Sequence, residues 1–487
     1  MTQVLYILFA AGLTYAVSLL MGNALLRAVR VKLARSEGLF LGFVLGAACL
    51  SAIVYGLAAA GLARKGVFLG ASVLLIAAAV LAGGHRFSTE RLPAVPKPWM
   101  IAFCAIYGLF AVFYLSVALA PEVSLDGTTH YLATVARDAQ AHGLAGGMAR
   151  DGVSMLFLFA FAFQKHSAAA MVELLFLLVC PWGMLSYGRR IGNPAAGVTG
   201  ALLFFVSPIV GKTGSSASVD VAIACLLFAI FYLYELRLLA PIVILLAFAG
   251  WAMVAHPWPS APWSADIPFD LTIRGVRLHG LLGPMLLLSP LALLALRYPA
   301  GRRLVPAALV AALPFLVSHE TTSLIPCLPF VALAMALVLT AWRAMAPVVL
   351  LAHSILSWPA FIPLYCDEGA WRLTNMEWRA ALRIEPEDNF LRRSLPGYDM
   401  ARYIDMQVPQ GEAIFSLGPF PRSYVKHEVV NGPDSIALPR DLPQIRNSGN
   451  RWLLIPAVDV FHVYLNRQEW GLTFVAALGG YQLYRID

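Results

Sequence analysis

Charge is scarce in this chain. Of 487 residues, 13% are Asp, Glu, Lys or Arg, while 60% are hydrophobic and the mean hydropathy is +0.73. Soluble proteins carry roughly 25% charge. A single soluble domain is therefore excluded, because so apolar a chain cannot be dispersed in water. Disorder is excluded as well, since it needs low hydrophobicity and many charges. Cysteine is sparse: Cys49, Cys104, Cys180, Cys225, Cys327 and Cys366 form no CxxC pair and no metal-like spacing, so neither a disulfide framework nor a zinc site is indicated. Long basic runs are missing too. Lys and Arg stand singly or in short groups between apolar runs, so the sequence pI near 9.2 reads as membrane orientation, and no nucleic-acid partner is expected. No internal repeat or low-complexity tract is evident. The N-terminus has no basic segment ahead of its apolar run, and a basic loop follows where a cleavage site would stand, so it reads as a retained first span.

What charge there is falls unevenly. Residues 1–366 hold 22 basic and 12 acidic side chains, whereas 367–487 hold 13 and 15. The net charge of +8 is therefore +10 from the first part and −2 from the second. This divides the chain into a membrane domain, 1–366, and a water-facing C-terminal domain, 367–487. A span needs roughly 20 mostly apolar residues. Spans are expected near 4–26, 38–62, 67–84, 99–120, 167–187, 195–212, 218–236, 239–255, 277–296, 304–318, 323–342 and 344–364, about twelve in all. Gly42 and Gly46 give the second span a GxxxG spacing that permits close helix contact.

Short basic loops set the orientation. Arg27, Arg30, Lys32 and Arg35 mark one cytoplasmic loop, and Arg86, Arg91 and Lys97 another. Arg189, Arg190, Arg237, Arg297, Arg302, Arg303 and Arg343 fall on the same side if there are twelve spans. The termini and the loop 121–166 then lie outside the cytoplasm. Of the 12 acids in the membrane part, eight fall at or near that outer face: Glu122, Asp126, Asp138, Asp151, Asp220, Asp266, Asp270 and Glu320. Solubility alone could place them there; a functional outer cavity could as well. His256 sits on the same side, in a loop rich in proline and tryptophan.

The C-terminal part reads as a small α/β unit resting on that face. Gly397–Val408 is predicted as an amphipathic helix, Ala413–Leu417 and Arg451–Pro456 as strands, and Leu472–Ala477 with Tyr481–Ile486 as a hairpin about Gly479-Gly480. The expected fold is thus a mainly α polytopic helix bundle with a small C-terminal α/β domain.

Chemistry concentrates in loop 121–166. No proline interrupts residues 127–142, and Gly143 is a plausible helix stop. On that helix His130, Thr134 and Arg137 share a face with Asp126 at its start, opposite Leu132, Val135, Ala136 and Ala139. A carboxylate at a membrane edge can take a proton from an attacking hydroxyl or hold a divalent cation. A histidine or arginine can neutralise a departing lipid phosphate. Alternatively Asp126 only caps the helix, with His130 and Arg137 facing headgroups.

The run Asp126-Gly-Thr-Thr-His-Tyr-Leu-Ala-Thr-Val-Ala-Arg137, followed by His142-Gly143, resembles the first outer loop of bacterial GT-C-type polytopic glycosyltransferases of the polyprenyl-phosphate-sugar-dependent, family 39-like kind. The aromatic and imidazole of that motif are swapped here, as His130-Tyr131. Met155–Phe163, His166–Ala170, Ser207-Pro208 with Ser215–Asp220, and Trp358-Pro359 with Leu382–Glu387 are similar in the same order. The resemblance implies a GT-C-like fold and sugar transfer from a polyprenyl-phosphate donor, on the non-cytoplasmic face of the bacterial plasma membrane, to an envelope glycan, lipid or protein. It implies Asp126 as the catalytic residue. The chain departs from that pattern at Thr322-Ser323-Leu324-Ile325-Pro326, where many relatives carry an arginine, and in a shortened 238–276 region.

The remaining candidates each have two readings. Asp220 binds ligand or caps its span. His319 and Glu320 approach the phosphate or a metal, or are solvated turn residues. Lys212, Arg150 and Lys165 meet a carrier phosphate or ordinary headgroups. Glu173, inside a span, is a functional site or is merely protonated or hydrogen-bonded between helices. No cofactor is required by the sequence; a divalent cation remains an option with no assigned ligands. Two alternatives to transfer stand: a non-catalytic envelope scaffold, and a lipid or solute transporter, which would need polar residues along several spans and inverted repeats.

Overall fold

The computed structural model describes residues 2–30, 33–146, 150–254, 263–342, 344–432, 438–457 and 471–486. Lys32, His256 and Arg343 lie outside them. The chain is mainly helical, with one small sheet near its C-terminus. Four helices come first: α1 (Thr2–Ala28), α2 (Arg35–Ala59), α3 (Lys65–Leu81) and α4 (Lys97–Leu119). A wide turn at Gly127–Tyr131 leads into α5 (Leu132–Ala141), followed by α6 (Gly152–Arg190), α7 (Pro194–Phe205), α8 (Pro208–Gly214), α9 (Asp220–Glu235) and α10 (Leu239–Val254). Then come α11 (Ile267–Phe269), a 3₁₀ segment (Pro284–Arg297), α12 (Gly301–Ala311), α13 (Phe315–Ser318), a second 3₁₀ segment (Thr321–Cys327), α14 (Leu328–Ala341) and α15 (Met345–Leu356).

Helices stand at all twelve expected places, but the count of twelve spans is not confirmed. Among the described residues six are long and apolar enough to cross a membrane, or seven if α7 and α8, bent by 68° to each other, form one broken span. Proline explains part of the shortfall. Pro208 starts a new helix after a break at Ser207, and Pro284 and Pro290 hold residues 284–297 in 3₁₀ form. Helices of 12–17 residues rise only about 18–26 Å, short of a ~30 Å hydrocarbon layer.

The loop expected over 121–166 is shorter than that. α6 already begins at Gly152, capped by Asp151, whose carboxylate accepts the Ser154 N–H at 2.7 Å. The apolar run Met155–Phe163 is therefore buried helix, and only Gln164 and Lys165 (φ 48°) depart from helical backbone. α5 has the predicted apolar stripe, with Leu132, Val135 and Ala136 buried and α6 packed against it. Its left-handed terminal residue is His142 (φ 54°), one place before the expected Gly143.

The GxxxG spacing does bring helices together. A Cβ on Gly22 of α1 would overlap the Gly42 carbonyl oxygen, and one on Gly46 would overlap that of Ser18. α1 therefore crosses α2 backbone against backbone. At the end of this pair, buried Glu37 accepts hydrogen bonds from Arg190, from the Tyr232 hydroxyl at 2.5 Å and from the Ala34 N–H at 2.8 Å.

The tail holds α16 (Trp378–Ala381), α17 (Glu387–Ser394), α18 (Tyr398–Gln407), β1 (Ala413–Ser416), β2 (Val429–Asn431), α19 (Leu438–Asn447), β3 (Asn450–Pro456), β4 (Leu472–Leu478) and β5 (Tyr481–Ile486). Sheet order is β2-β1-β3-β5-β4, with β1 parallel to β2 and β3 and the other pairs antiparallel. Successive residues of β3 point to opposite faces. Leu454 packs with Met400 and Ile404 of α18, whereas Leu453 and Ile455 pack with Leu442 and Ile445 of α19. The expected hairpin is present: Gly479 (φ 56°) and Gly480 (φ 81°) both take the positive φ that its two-residue turn needs.

Candidate functional site

Asp126 stands where the chain leaves α4 and turns into α5. Ser124, and not Asp126, supplies the cap: its Oγ accepts the Gly127 N–H at 3.1 Å. Asp126 itself has helical backbone angles and no capping hydrogen bond. Among the described residues its carboxylate makes no hydrogen bond and no ion pair. The capping reading is therefore overturned, and the carboxylate is left facing outward from the turn.

Glu122 decides where that turn lies. Its buried carboxylate accepts the Ser124 N–H at 2.7 Å and, across 95 residues, the Ala217 N–H at 2.8 Å. Burial pushes the Glu122 carboxyl up, against the pull of those hydrogen bonds. This fastens the Asp126 turn to the connection between α8 and α9. Lys212 comes from α8 and Asp220 from the first position of α9.

Around Asp126 gather four of the residues singled out in the sequence. Desolvation raises the Asp126 carboxyl above its ordinary value; Lys212 opposes this, Asp220 and Glu320 add to it, and His130 opposes it. Asp126 is nonetheless exposed by surface. The two facts describe a recess: water reaches the carboxylate, but protein surrounds it on enough sides to penalise its charge. Lys212 is half-buried and, among the described residues, has no hydrogen bond or ion pair for its ammonium. Two opposite charges thus share one recess without bonding each other.

The rim adds more groups. The Oε1 of Glu320 meets Nδ1 of His279 at 3.1 Å, which raises the His279 imidazole. Asp220 accepts the Ser218 hydroxyl at 2.5 Å. His130 sets its ring edge-on to Tyr131. His319 sits one residue from Glu320 in left-handed conformation, its ring 4.6 Å from that of Trp263.

Other candidates lie elsewhere. Arg137 pairs with Glu428 of the tail at 3.3 Å. Arg150 pairs with buried Asp138, its Nη2 donating at 2.6 Å, so it serves as an internal ion pair. Glu173 accepts the Ala222 N–H at 2.9 Å and so caps α9 from α6, the hydrogen-bonded of its two readings. Sequence reasoning missed His279, the positioning role of Glu122, and Arg372, which bears electrostatically on Lys212. None of these carries a local signal, since each acts across a tertiary contact. Among the described residues no group of three or more His, Cys, Asp or Glu could hold a metal ion.

An apolar cavity of about 610 Å³ lies along α9. Its lining begins one turn into α9 at Ile223 and three residues past Glu320 at Ser323, and continues along Leu227, Phe231, Leu246 and Phe330.

No family model matches the chain, and no curated protein does. Solved structures similar to it include two of the same protein. One is ArnT from Cupriavidus metallidurans in the apo state, 11% identical, with a TM-score of 0.49 over 80% of this chain and 98% of that one. The other is ArnT from the same organism bound to undecaprenyl phosphate, 12% identical, with a TM-score of 0.44 over 81% and 99%. With both TM-scores below one half, neither likeness bears on activity.

Proposed function

We propose that the chain is a GT-C-like membrane glycosyltransferase that moves a sugar from a polyprenyl-phosphate donor to an envelope acceptor. The observation that carries the reading is the uncapped Asp126 carboxylate sharing a recess with the Lys212 ammonium, neither of them paired among the described residues. The order of motifs from Asp126 to Glu387 supports it independently. Asp126 takes the proton from the acceptor hydroxyl, whose oxygen then attacks the anomeric carbon. The bond from that carbon to the phosphate oxygen breaks, and the polyprenyl phosphate leaves with the electron pair. Lys212 and His130 offset the charge that develops on the phosphate. Asp220, Glu320 and His319 line the sugar side, and the apolar cavity takes part of the prenyl chain.

Arg137, paired with Glu428, holds the tail in this reading and does not reach the phosphate. The recess stands at the start of α9, opposite the end where Glu235 pairs with Arg303 at 2.7 Å. Arginine-rich ends are cytoplasmic by the positive-inside rule, which supports an outer location for the recess and the tail in this reading.

The test is Asp126→Asn in purified, correctly inserted protein, given labelled polyprenyl-phosphate sugars and membrane extract. Transfer should vanish while insertion is unchanged. A fully active Asp126→Asn enzyme would refute the assignment. A wild-type protein that transfers no sugar would favour the scaffold.

A further inference from the structure

The short segment Arg422–Tyr424 of the tail grips the Asp126 turn from both sides. Arg422 donates two hydrogen bonds to the Thr129 carbonyl oxygen, from Nε at 2.8 Å and Nη2 at 2.6 Å. Thr129 lies three residues after Asp126. Tyr424 donates its hydroxyl to the Glu122 carbonyl oxygen at 2.8 Å, four residues before Asp126. Between them, the Ser423 carbonyl meets Nε2 of His166 at 3.1 Å. The segment is thus anchored to α6 as well as to the turn.

The turn it grips needs such support. Residues 127–131 form a single π turn, wider than an α turn and poorly stabilised by itself. Glu122 fixes only its leading side. On its trailing side the Thr129 carbonyl receives both guanidinium bonds, and bonds from a charged donor are the strong ones. Arg422 is half-buried, and desolvation, aided by repulsion from Arg137, lowers its pKa to about 10, so it stays protonated at neutral pH.

The geometry points to Arg422 as a positioning residue for Asp126, through which the tail fixes the aim of the carboxylate without touching substrate. This rests on the proposed transfer reaction. It makes the tail part of the catalytic apparatus, so a chain cut before the tail would keep the recess residues and lose their alignment.

Arg422→Met and Arg422→Lys in the full chain test it, with Arg451→Met as the control for loss of an exposed tail arginine. Two readouts are needed. Amide hydrogen exchange over residues 122–131 should quicken at least several-fold in Arg422→Met, with α6 and the sheet unchanged. In transfer assays kcat should fall about 10- to 100-fold, the scale of a misplaced catalytic group, with KM for the donor nearly unchanged. Arg422→Lys, which keeps one charged donor, should recover part of both. Unchanged exchange in Arg422→Met overturns the proposal, as does a loss of protection spread across the whole tail. If the wild-type protein transfers no sugar, the reaction fails as a reading, and the exchange data still decide whether Arg422 holds the turn.

Discussion

His166 of α6 stacks flat on Tyr424 of the tail, with ring centroids 4.0 Å apart and planes at 12°. The same tyrosine meets Tyr398 edge-on at 5.6 Å and donates to the Glu122 carbonyl. Around it Ala120, Phe390, Leu391 and Leu395 bury a small apolar cluster. The tail is therefore packed onto the loop that bears Asp126.

Tyr424→Ala should loosen this joint. Removing a packed aromatic costs about 3 kcal/mol, and the tail should be cut faster in limited proteolysis while the bundle resists. Tyr424→Phe removes only the hydroxyl bond, worth about 1 kcal/mol. Equal proteolysis of Tyr424→Ala and wild type would disprove the joint.

Asp126 carries a pH signature. Its pKa is raised, first by desolvation. A base must be deprotonated, so the transfer rate should fall as pH drops through a value above the ordinary carboxylate range. Lys212 pulls that value down, so Lys212→Met should move the acid limb to higher pH while lowering kcat. A limb that stays in place would show that the two charges are not coupled.

The same shift has a stability consequence. A raised carboxyl pKa means that the folded state binds the proton more tightly than the unfolded chain does, so between the two pKa values stability falls as pH rises. Asp126→Asn should therefore be as stable as wild type or more so at neutral pH, with thermal unfolding as the measure. A clear loss of stability would mean that the carboxylate has a structural partner.

His279 runs the opposite way. Its pKa is raised, chiefly by the hydrogen bond to Glu320. The contribution of this pair is complete below the unfolded histidine value, near 6.5, and is lost as pH rises through the higher folded value. NMR titration of His279 should show the raised pKa, and Glu320→Gln should return it toward the unfolded value. His279 is well exposed, so the effect on global stability is small.

At the far end of the bundle, Glu37→Ala should destabilise by about 3 kcal/mol, since it leaves Arg190 and the buried Tyr232 hydroxyl without their shared acceptor. Detergent-melting curves would measure it. A shift no larger than that of an exposed ion pair would contradict the burial seen for Glu37.

Several features were legible in the residues alone. The apolar stripe Leu132, Val135 and Ala136, the Gly479-Gly480 hairpin, the α18 helix and the Gly42/Gly46 contact all depend on neighbours a few positions apart. The count of twelve spans is not confirmed where prolines and 3₁₀ backbone shorten the helices, because hydropathy records apolar length and not backbone form. The strand Val429–Asn431 was missed for its brevity, and the helix Leu438–Asn447 because prolines at 439 and 443 mask its period.

By itself, then, the sequence determined an apolar, mainly helical bundle with a small α/β tail, and a cluster of polar residues in the segment around Asp126. Those properties follow from local periodicity and composition. Only the tertiary structure decided that Ser124 caps in place of Asp126, that Lys212, Asp220 and Glu320 meet it in one recess, and that Arg137 turns away to Glu428. These groups are up to 291 residues apart along the chain (Arg137 to Glu428), and no local pattern encodes such meetings. Packing of helices and tail sets them, and burial then gives each charge its meaning.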